Sequence, residues 1–356
     1  MTRLSDIHFS KIKFNRSILY AVLAAVGYGI SSPVSKIMLN NISPVFMASL
    51  LYLGAGIGMG IVVLVGNSKD KPQTEAKLSR NDLPYVIAMI ALDIAAPIFL
   101  MSGLLLSSPA SVSLLNNFEI VATSLIALII FKEMVGRRMW LAIVLITIST
   151  IILSFEDIGS FSFSVGSLFV LAACVSWGFE NNCTRMLSLK NPLEIVVVKG
   201  IGSGLGSLII TIITKAFSMN IVYILFSLLL GFLSYGLSVY FYILAQRNLG
   251  ASRTSAYYAF APFIGVALSF IFFRQALTSS FIVALAVMAI GTYFAASEQH
   301  IHLHKHETVE HEHRHNHKDG HHNHGHDGFA GEHSHSHKHE SLEHKHLHLP
   351  DLHHTH

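Results

Sequence analysis

Stretches of nearly unbroken apolar residues recur along the chain, parted by short polar breaks. Ten can be read, at about 17–38, 44–66, 83–106, 109–131, 137–155, 165–187, 193–215, 220–246, 252–273 and 279–297. A helix needs roughly 20 apolar residues to cross the hydrocarbon core of a bilayer, so each run predicts one transmembrane helix. The connections are short and often carry proline, at Pro44, Pro84, Pro109 and Pro192. The first run follows a basic start, Arg3, Lys11, Lys13 and Arg16. It is long, shows no clear cleavage site and precedes nine more, so it reads as a retained helix rather than a signal peptide.

Composition agrees with this pattern. Of 356 residues, 52% are hydrophobic and 13% charged, whereas a soluble domain carries roughly 25% charged residues. The polar content is concentrated at the end of the chain, where 22 of the 23 histidines lie between His300 and His356; only His8 lies elsewhere. Before that segment Lys and Arg exceed Asp and Glu by 19 to 12; within it nine acids face five basic residues. Nothing in this balance suggests nucleic-acid binding. Cys174 and Cys183 share one apolar run without CxxC spacing, which implies neither a disulfide framework nor a zinc knuckle.

The basic residues also orient the chain. With a cytoplasmic N-terminus, the inner segments carry most of the lysines and arginines, including Lys69, Lys71, Lys77, Arg80, Lys132, Arg137, Arg138, Arg247 and Arg253. The outer ends keep Lys36, Lys215 and Arg274. This bias is a positive-inside signal. It predicts a multi-pass protein of the cell membrane with both termini in the cytoplasm, since an even number of spans returns the chain to its starting side.

The two halves repeat one another. A shift of 142 lays residues 110–133, ASVSLLNNFEIVATSLIALIIFKE, over 252–275, SRTSAYYAFAPFIGVALSFIFFRQ. YGISSPVSK (28–36) overlays WGFENNCTR (177–185), and PVFMASLLYLGAGIG (44–58) overlays PLEIVVVKGIGSGLG (192–206). Each copy holds five spans, and an odd number forces the second to enter from the opposite side. The predicted fold is therefore an all-α integral membrane protein of ten transmembrane helices in two inverted five-helix repeats, with a disordered His-rich tail. Residues 1–16 form a basic N-terminus, 17–155 the first repeat, 165–297 the second and 298–356 the tail. In such architectures the substrate site lies near the midplane between the halves.

These residues resemble the drug/metabolite transporter superfamily, specifically its ten-helix EamA type. The resemblance is carried by Tyr28-Gly29 and Trp177-Gly178, the basic ends Lys36 and Arg185, Pro44 and Pro192, and the small-residue openings Ala110-Ser111 and Ser252. Glu119 and Pro262 stand in the family's Glu-Pro positions and Glu133 in its Gly-Glu position. The likeness spans 17–297 and implies movement of a small metabolite, more often export than import, by alternating access. Ile120, Ala261 and Gln275 depart from the pattern where the family tends to have Pro, Glu and Glu. The halves have diverged, which argues against a symmetric substrate site.

Ionisable groups within a span are costly and therefore candidates for function. Asp93 and Glu119 sit near the middle of the third and fourth spans, where a carboxylate suits proton coupling or cation binding; a polar tether between helices is the plainer role. Glu180 lies nearer the cytoplasm beside Asn181 and Asn182. Lys199 falls where the resembled family often has a basic residue, placed to hold an anion, to neutralise Glu180 or to snorkel to the interface. Asn116, one turn before Glu119, is a candidate partner for it. Trp177 and Tyr258 either line the cavity or pack as core aromatics. Lys36 and Arg185, related by the repeat, are gates or interfacial anchors. GAGIGMG (54–60) and GIGSGLG (200–206) read as close helix packing rather than phosphate loops. The chain has no Gly-Lys dipeptide and hence no Walker A motif.

The tail contains HEHRH at 311–315, a literal zincin pattern that arises by accident in a histidine-rich tract; no enzyme activity is expected. Its alternating histidines present paired imidazoles in either an extended or a helical conformation. Zn²⁺, Ni²⁺ and Co²⁺ accept such donors. The candidate ligands are His300, His302, His304, His306, His311, His313, His315, His317, His321, His322, His324, His326, His333, His335, His337 and His339. No cofactor is required by the spans themselves; the tail is expected to bind a divalent transition metal, with a solvated, pH-responsive tail as the alternative. The membrane body contains no histidine. Three functions follow: a metabolite transporter whose tail senses or buffers metal, a transition-metal transporter whose tail collects ions, and a membrane-anchored metal store. The expected partners are the lipid bilayer and a small-molecule or ion substrate, and a homodimer is compatible with this class.

Overall fold

A computed structural model of the chain describes residues 4–66, 78–132, 134–157, 162–187, 190–249, 251–297 and four segments of the tail. The helices are α1 (Leu4–Gly29), α2 (Ser31–Met38), α3 (Pro44–Gly66), α4 (Leu83–Leu106), α5 (Pro109–Leu115), α6 (Phe118–Ile130) and α7 (Arg137–Ser154). The second half holds α8 (Val165–Met186), α9 (Pro192–Thr214), α10 (Ile221–Gly231), α11 (Ser238–Leu249), α12 (Ala251–Tyr258), α13 (Ala261–Phe273) and α14 (Ser279–Ala296).

Among the described residues, nine helical stretches are long and apolar enough to cross a membrane, one for each expected run but the sixth. That run is an unbroken 22-residue helix, α8, about 33 Å long at 1.5 Å per residue. It falls short in composition because its last turns carry Glu180, Asn181, Asn182 and Arg185. It lies along α4 in the bundle, where a Cβ on Gly103 would stand 2.7 Å from the Gly166 carbonyl oxygen.

Several spans are interrupted rather than continuous. Pro33 has no N–H to give the Gly29 carbonyl, and the first span breaks at Ile30 between α1 and α2. Pro262 likewise cannot serve the Tyr258 carbonyl, and α12 gives way to α13. The fourth span breaks at Asn116-Asn117 between α5 and α6, where the Asn117 side chain donates to the Leu114 carbonyl at 3.1 Å. A π-helical turn, Phe232–Leu237, joins α10 to α11.

The halves pack through matching interfaces. α3 lies on α9 and α7 on α14, while α8 packs on α4 as α1 packs on α11. Glycines permit the closest approaches. A Cβ at Gly54 would fall 2.1 Å from the Leu228 carbonyl oxygen, one at Gly231 2.0 Å from that of Leu51, and one at Gly200 2.5 Å from the Gly56 nitrogen. Gly60 is the exception within these glycine runs, with nothing within 4 Å of its Cβ position. Lys132 and Arg274, in register in the repeat, both take left-handed backbone angles, φ 55° and 47°.

Large apolar side chains face outward around the bundle, among them Leu64, Ile129 and Ile213, as a hydrocarbon solvent permits. The principal core cluster lies toward the end that carries the 39–43 and 107–108 connections. Met38, Ile42, Phe46, Leu100, Leu104 and Leu115 are all buried there. At that end the Lys36 ammonium donates to the carbonyls of Leu104, Leu105 and Ser107 at 2.6, 3.0 and 3.0 Å, satisfying the last turn of α4.

Within the tail, strands 300–305 and 343–348 pair antiparallel, as do 310–315 and 333–338. The sequence reading expects a disordered segment here, yet the alternation of histidine with other residues has the period of a strand. The remaining tail residues lie outside those described, and with them candidate ligands His306, His317, His321, His322, His324, His326 and His339.

Candidate functional site

A cavity of about 710 Å³ enters the bundle from the end opposite that core. Its rim includes Met134, Val135 and Gly136 between α6 and α7, Arg185 at the end of α8, and Ala295 and Ala296 at the end of α14. Its deep part holds Tyr28, Tyr52, Trp177 and Tyr235. The connections at the rim end of the bundle are those that carry most of the lysines and arginines.

Helical spacing places the polar groups. Trp177, Glu180 and Asn181 occupy positions i, i+3 and i+4 of α8 and share a face, as do Glu119 and Thr123 on α6. Across the α6–α8 contact the Asn181 amide donates to Glu119 Oε1 at 2.7 Å and to Thr123 Oγ1 at 3.2 Å. A Cβ on Gly178 would lie 2.8 Å from that of Ala122, so glycine sets this close approach.

Beside this pair sits a buried ionic cluster. Lys199 Nζ lies 2.9 Å from Glu180 Oε1 and 3.1 Å from Asp93 Oδ2. Tyr52 donates to Asp93 Oδ1 at 2.8 Å and receives from the Trp177 indole at 3.3 Å. Thr184 donates to Glu180. Two carboxylates thus share one ammonium, with Asp93 0% and Glu180 1% exposed. Such a group of charges withstands desolvation only while its members stay paired. Glu119 differs: its partner is a neutral amide, and among the described residues no lysine or arginine pairs with it.

Of the residues singled out in the sequence, Glu119, Trp177, Glu180, Lys199, Tyr258 and Arg185 line the cavity. Asp93 does not; it stands behind Lys199 and Tyr52. Asn116 does not either. At the break the Glu119 N–H donates to the Asn116 carbonyl at 3.1 Å, so the two stay adjacent through their backbones, while the Glu119 carboxylate takes its side-chain amide from Asn181. Lys36 lies at the far end, holding α4. Tyr28, Tyr52, Thr123, Asn181 and Tyr235 also line the site, although the sequence does not single them out for it. In the sequence Tyr28 stands out only by its repeat relation to Trp177, and Asn181 only as a neighbour of Glu180.

The model of the EamA-like transporter family matches residues 15–155 and 164–297. An uncharacterized transporter of Methanothermobacter thermautotrophicus is 26% identical over 290 residues, covering 76% of this chain and 83% of that one. A protein of known crystal structure shares the fold with a TM-score of 0.57 at 16% identity, over 78% of this chain and 95% of its own.

Proposed function

Because the chain belongs to the EamA-like transporter family, we propose that this multi-pass membrane transporter exports a small metabolite across the cell membrane by alternating access, with both termini in the cytoplasm. The observation that carries this reading is the one-sided cavity. It reaches Glu119, Glu180 and Lys199 from the rim end, while the other end is sealed by the Met38–Leu104 core and by Lys36 on the α4 carbonyls. With basic connections inside, the arrangement that the positive-inside rule favours, this is a cytoplasm-facing state, one of the two that alternating access needs and the one in which an exporter loads.

In that state the substrate enters past Arg185 and meets Glu119. Burial makes any change of charge on Glu119, or any break in the Asp93–Lys199–Glu180 cluster, energetically consequential. Substrate or coupling-ion binding there can therefore bias the packing of α6 on α8, the first step in closing one end and opening the other. The two inverted halves supply the second state by exchanging the packing each now has. The tail, on this reading, binds a divalent transition metal in the cytoplasm.

Export is tested by untargeted mass spectrometry of the medium from cells expressing the intact chain or Glu119→Gln. A solute that accumulates outside with the intact chain and falls at least about tenfold with Glu119→Gln is the expected result. Media that do not differ would refute it. The tail is tested by equilibrium dialysis of Zn²⁺, Ni²⁺ and Co²⁺: retention by the full chain, and its loss from a chain ending at Ser297, is expected.

A further inference from the structure

Five tyrosine rings follow one another along the cavity. Tyr52 meets Tyr235 with centroids 5.5 Å apart, Tyr235 meets Tyr28 at 6.1 Å, Tyr28 meets Tyr258 at 5.7 Å and Tyr258 meets Tyr242 at 5.0 Å. All five line it. They come from α1, α3, the π-helical turn, α11 and α12, so no single helix periodicity explains the series. Their hydroxyls are partly tied back: Tyr52 to Asp93, Tyr235 to Ser31 at 3.1 Å and Tyr242 to Ser255 at 3.0 Å. Such anchoring limits how the rings can turn.

The charges facing this wall are unbalanced. Asp93 and Glu180 share Lys199, and among the described residues the hydrogen-bond partner of the Glu119 carboxylate is the neutral Asn181 amide. Arg185 lies four residues beyond Asn181 toward the rim, about 6 Å along α8. With its carboxylates ionised, the deep chamber thus has a deficit of positive charge beside a series of π-systems. Aromatic faces attract cations, and most strongly when water is excluded. A chamber of about 710 Å³ is also far larger than a bare metal ion requires.

We propose that the cargo is a small organic cation, an amine or quaternary ammonium compound, whose positive centre sits between Glu119 and the Tyr28–Tyr258–Tyr235 part of the tyrosine series. This rests on the transport reading and names its substrate class. Glu119 supplies the counter-charge, Tyr28 and Tyr258 supply ring faces, and the Asp93–Lys199–Glu180 cluster fixes the wall behind Tyr52.

The test uses three probes of one shape and different charge: choline, its neutral carbon isostere neopentylcarbinol, and the neopentyl carboxylate anion. Binding to the full chain in nanodiscs is measured by titration calorimetry. Choline should bind at least about tenfold more tightly than either of the others. Glu119→Gln should remove that preference. Tyr258→Leu should weaken choline about threefold to tenfold while Tyr258→Phe, which keeps the ring, retains it; thermal unfolding of each variant identifies any that misfolds. Equal or tighter binding of the neutral or anionic probe overturns the inference, as does no choline binding to a chain that still exports a solute in a Glu119-dependent way. Choline binding without any Glu119-dependent export overturns the transport reading instead and leaves the cation site standing.

Discussion

Lys199 is the residue on which the most other groups depend. It is the cation shared by Asp93 and Glu180, and removing it strands two buried carboxylates, which costs about 3–5 kcal/mol when a buried pair is broken from one side. Lys199→Ala should therefore lower the unfolding temperature of the purified protein sharply. Adding Asp93→Asn should recover much of that loss, and a double variant that is worse than the single one would contradict the shared-charge account. This cluster was half legible in the sequence. Asp93, Glu180 and Lys199 announce themselves as charges inside apolar runs, and neutralising Glu180 is one of the roles that the position of Lys199 implies. Tyr52 and Asn181 do not stand out, because neither carries a charge, and only the packing of α3 on α4 and of α8 on α6 brings them to Asp93 and Glu119. Asn116 and Glu119 are joined through their backbones at 3.1 Å, and the sequence alone does not distinguish that contact from the side-chain one that Asn181 makes.

The ten helical runs were legible as elements because bilayer thickness sets their length. Their interruptions were less so. Pro33 and Pro262 are visible signals for two breaks, but the Asn116-Asn117 break and the π-helical turn Phe232–Leu237 have no proline within them to mark them. The glycine runs read correctly as contact surfaces, and the structure distinguishes their members. Gly54→Val would drive side-chain atoms into the Leu228 backbone, and Gly231→Val into that of Leu51; both should abolish monodisperse protein on size-exclusion chromatography. Gly60→Ala meets open space and should leave the elution profile unchanged, with stability the same or up to about 1 kcal/mol higher from helix propensity. At the sealed end, Lys36 holds three α4 carbonyls. Lys36→Met keeps the stem but not these bonds, so a cysteine placed at Ser107 in a background lacking Cys174 and Cys183 should react faster with an impermeant maleimide added from that side. An unchanged rate would mean that the apolar core alone closes it.

For the whole molecule, the repeat matters more than any single helix. A duplicated sequence whose halves pack through matching interfaces, α3 on α9 and α7 on α14, has a ready route to a second arrangement of the same contacts. Its divergence is equally informative: Glu119 corresponds to Ala261 in the repeat, so this carboxylate has no counterpart in the other half, which instead supplies Glu180, Lys199 and three of the five tyrosines in the series. The tail leaves the bundle at the rim of the cavity, where Arg138 donates to the Ser297 carbonyl at 3.2 Å. The most direct test of the account is side-specific labelling of a single cysteine at Ser124, which lines the cavity, in right-side-out and inside-out vesicles. In resting vesicles it should react only with impermeant reagent on the cytoplasmic face, and an imposed ion gradient or exported solute should make it reactive from outside as well. Labelling confined to one face under every gradient and solute would contradict alternating access.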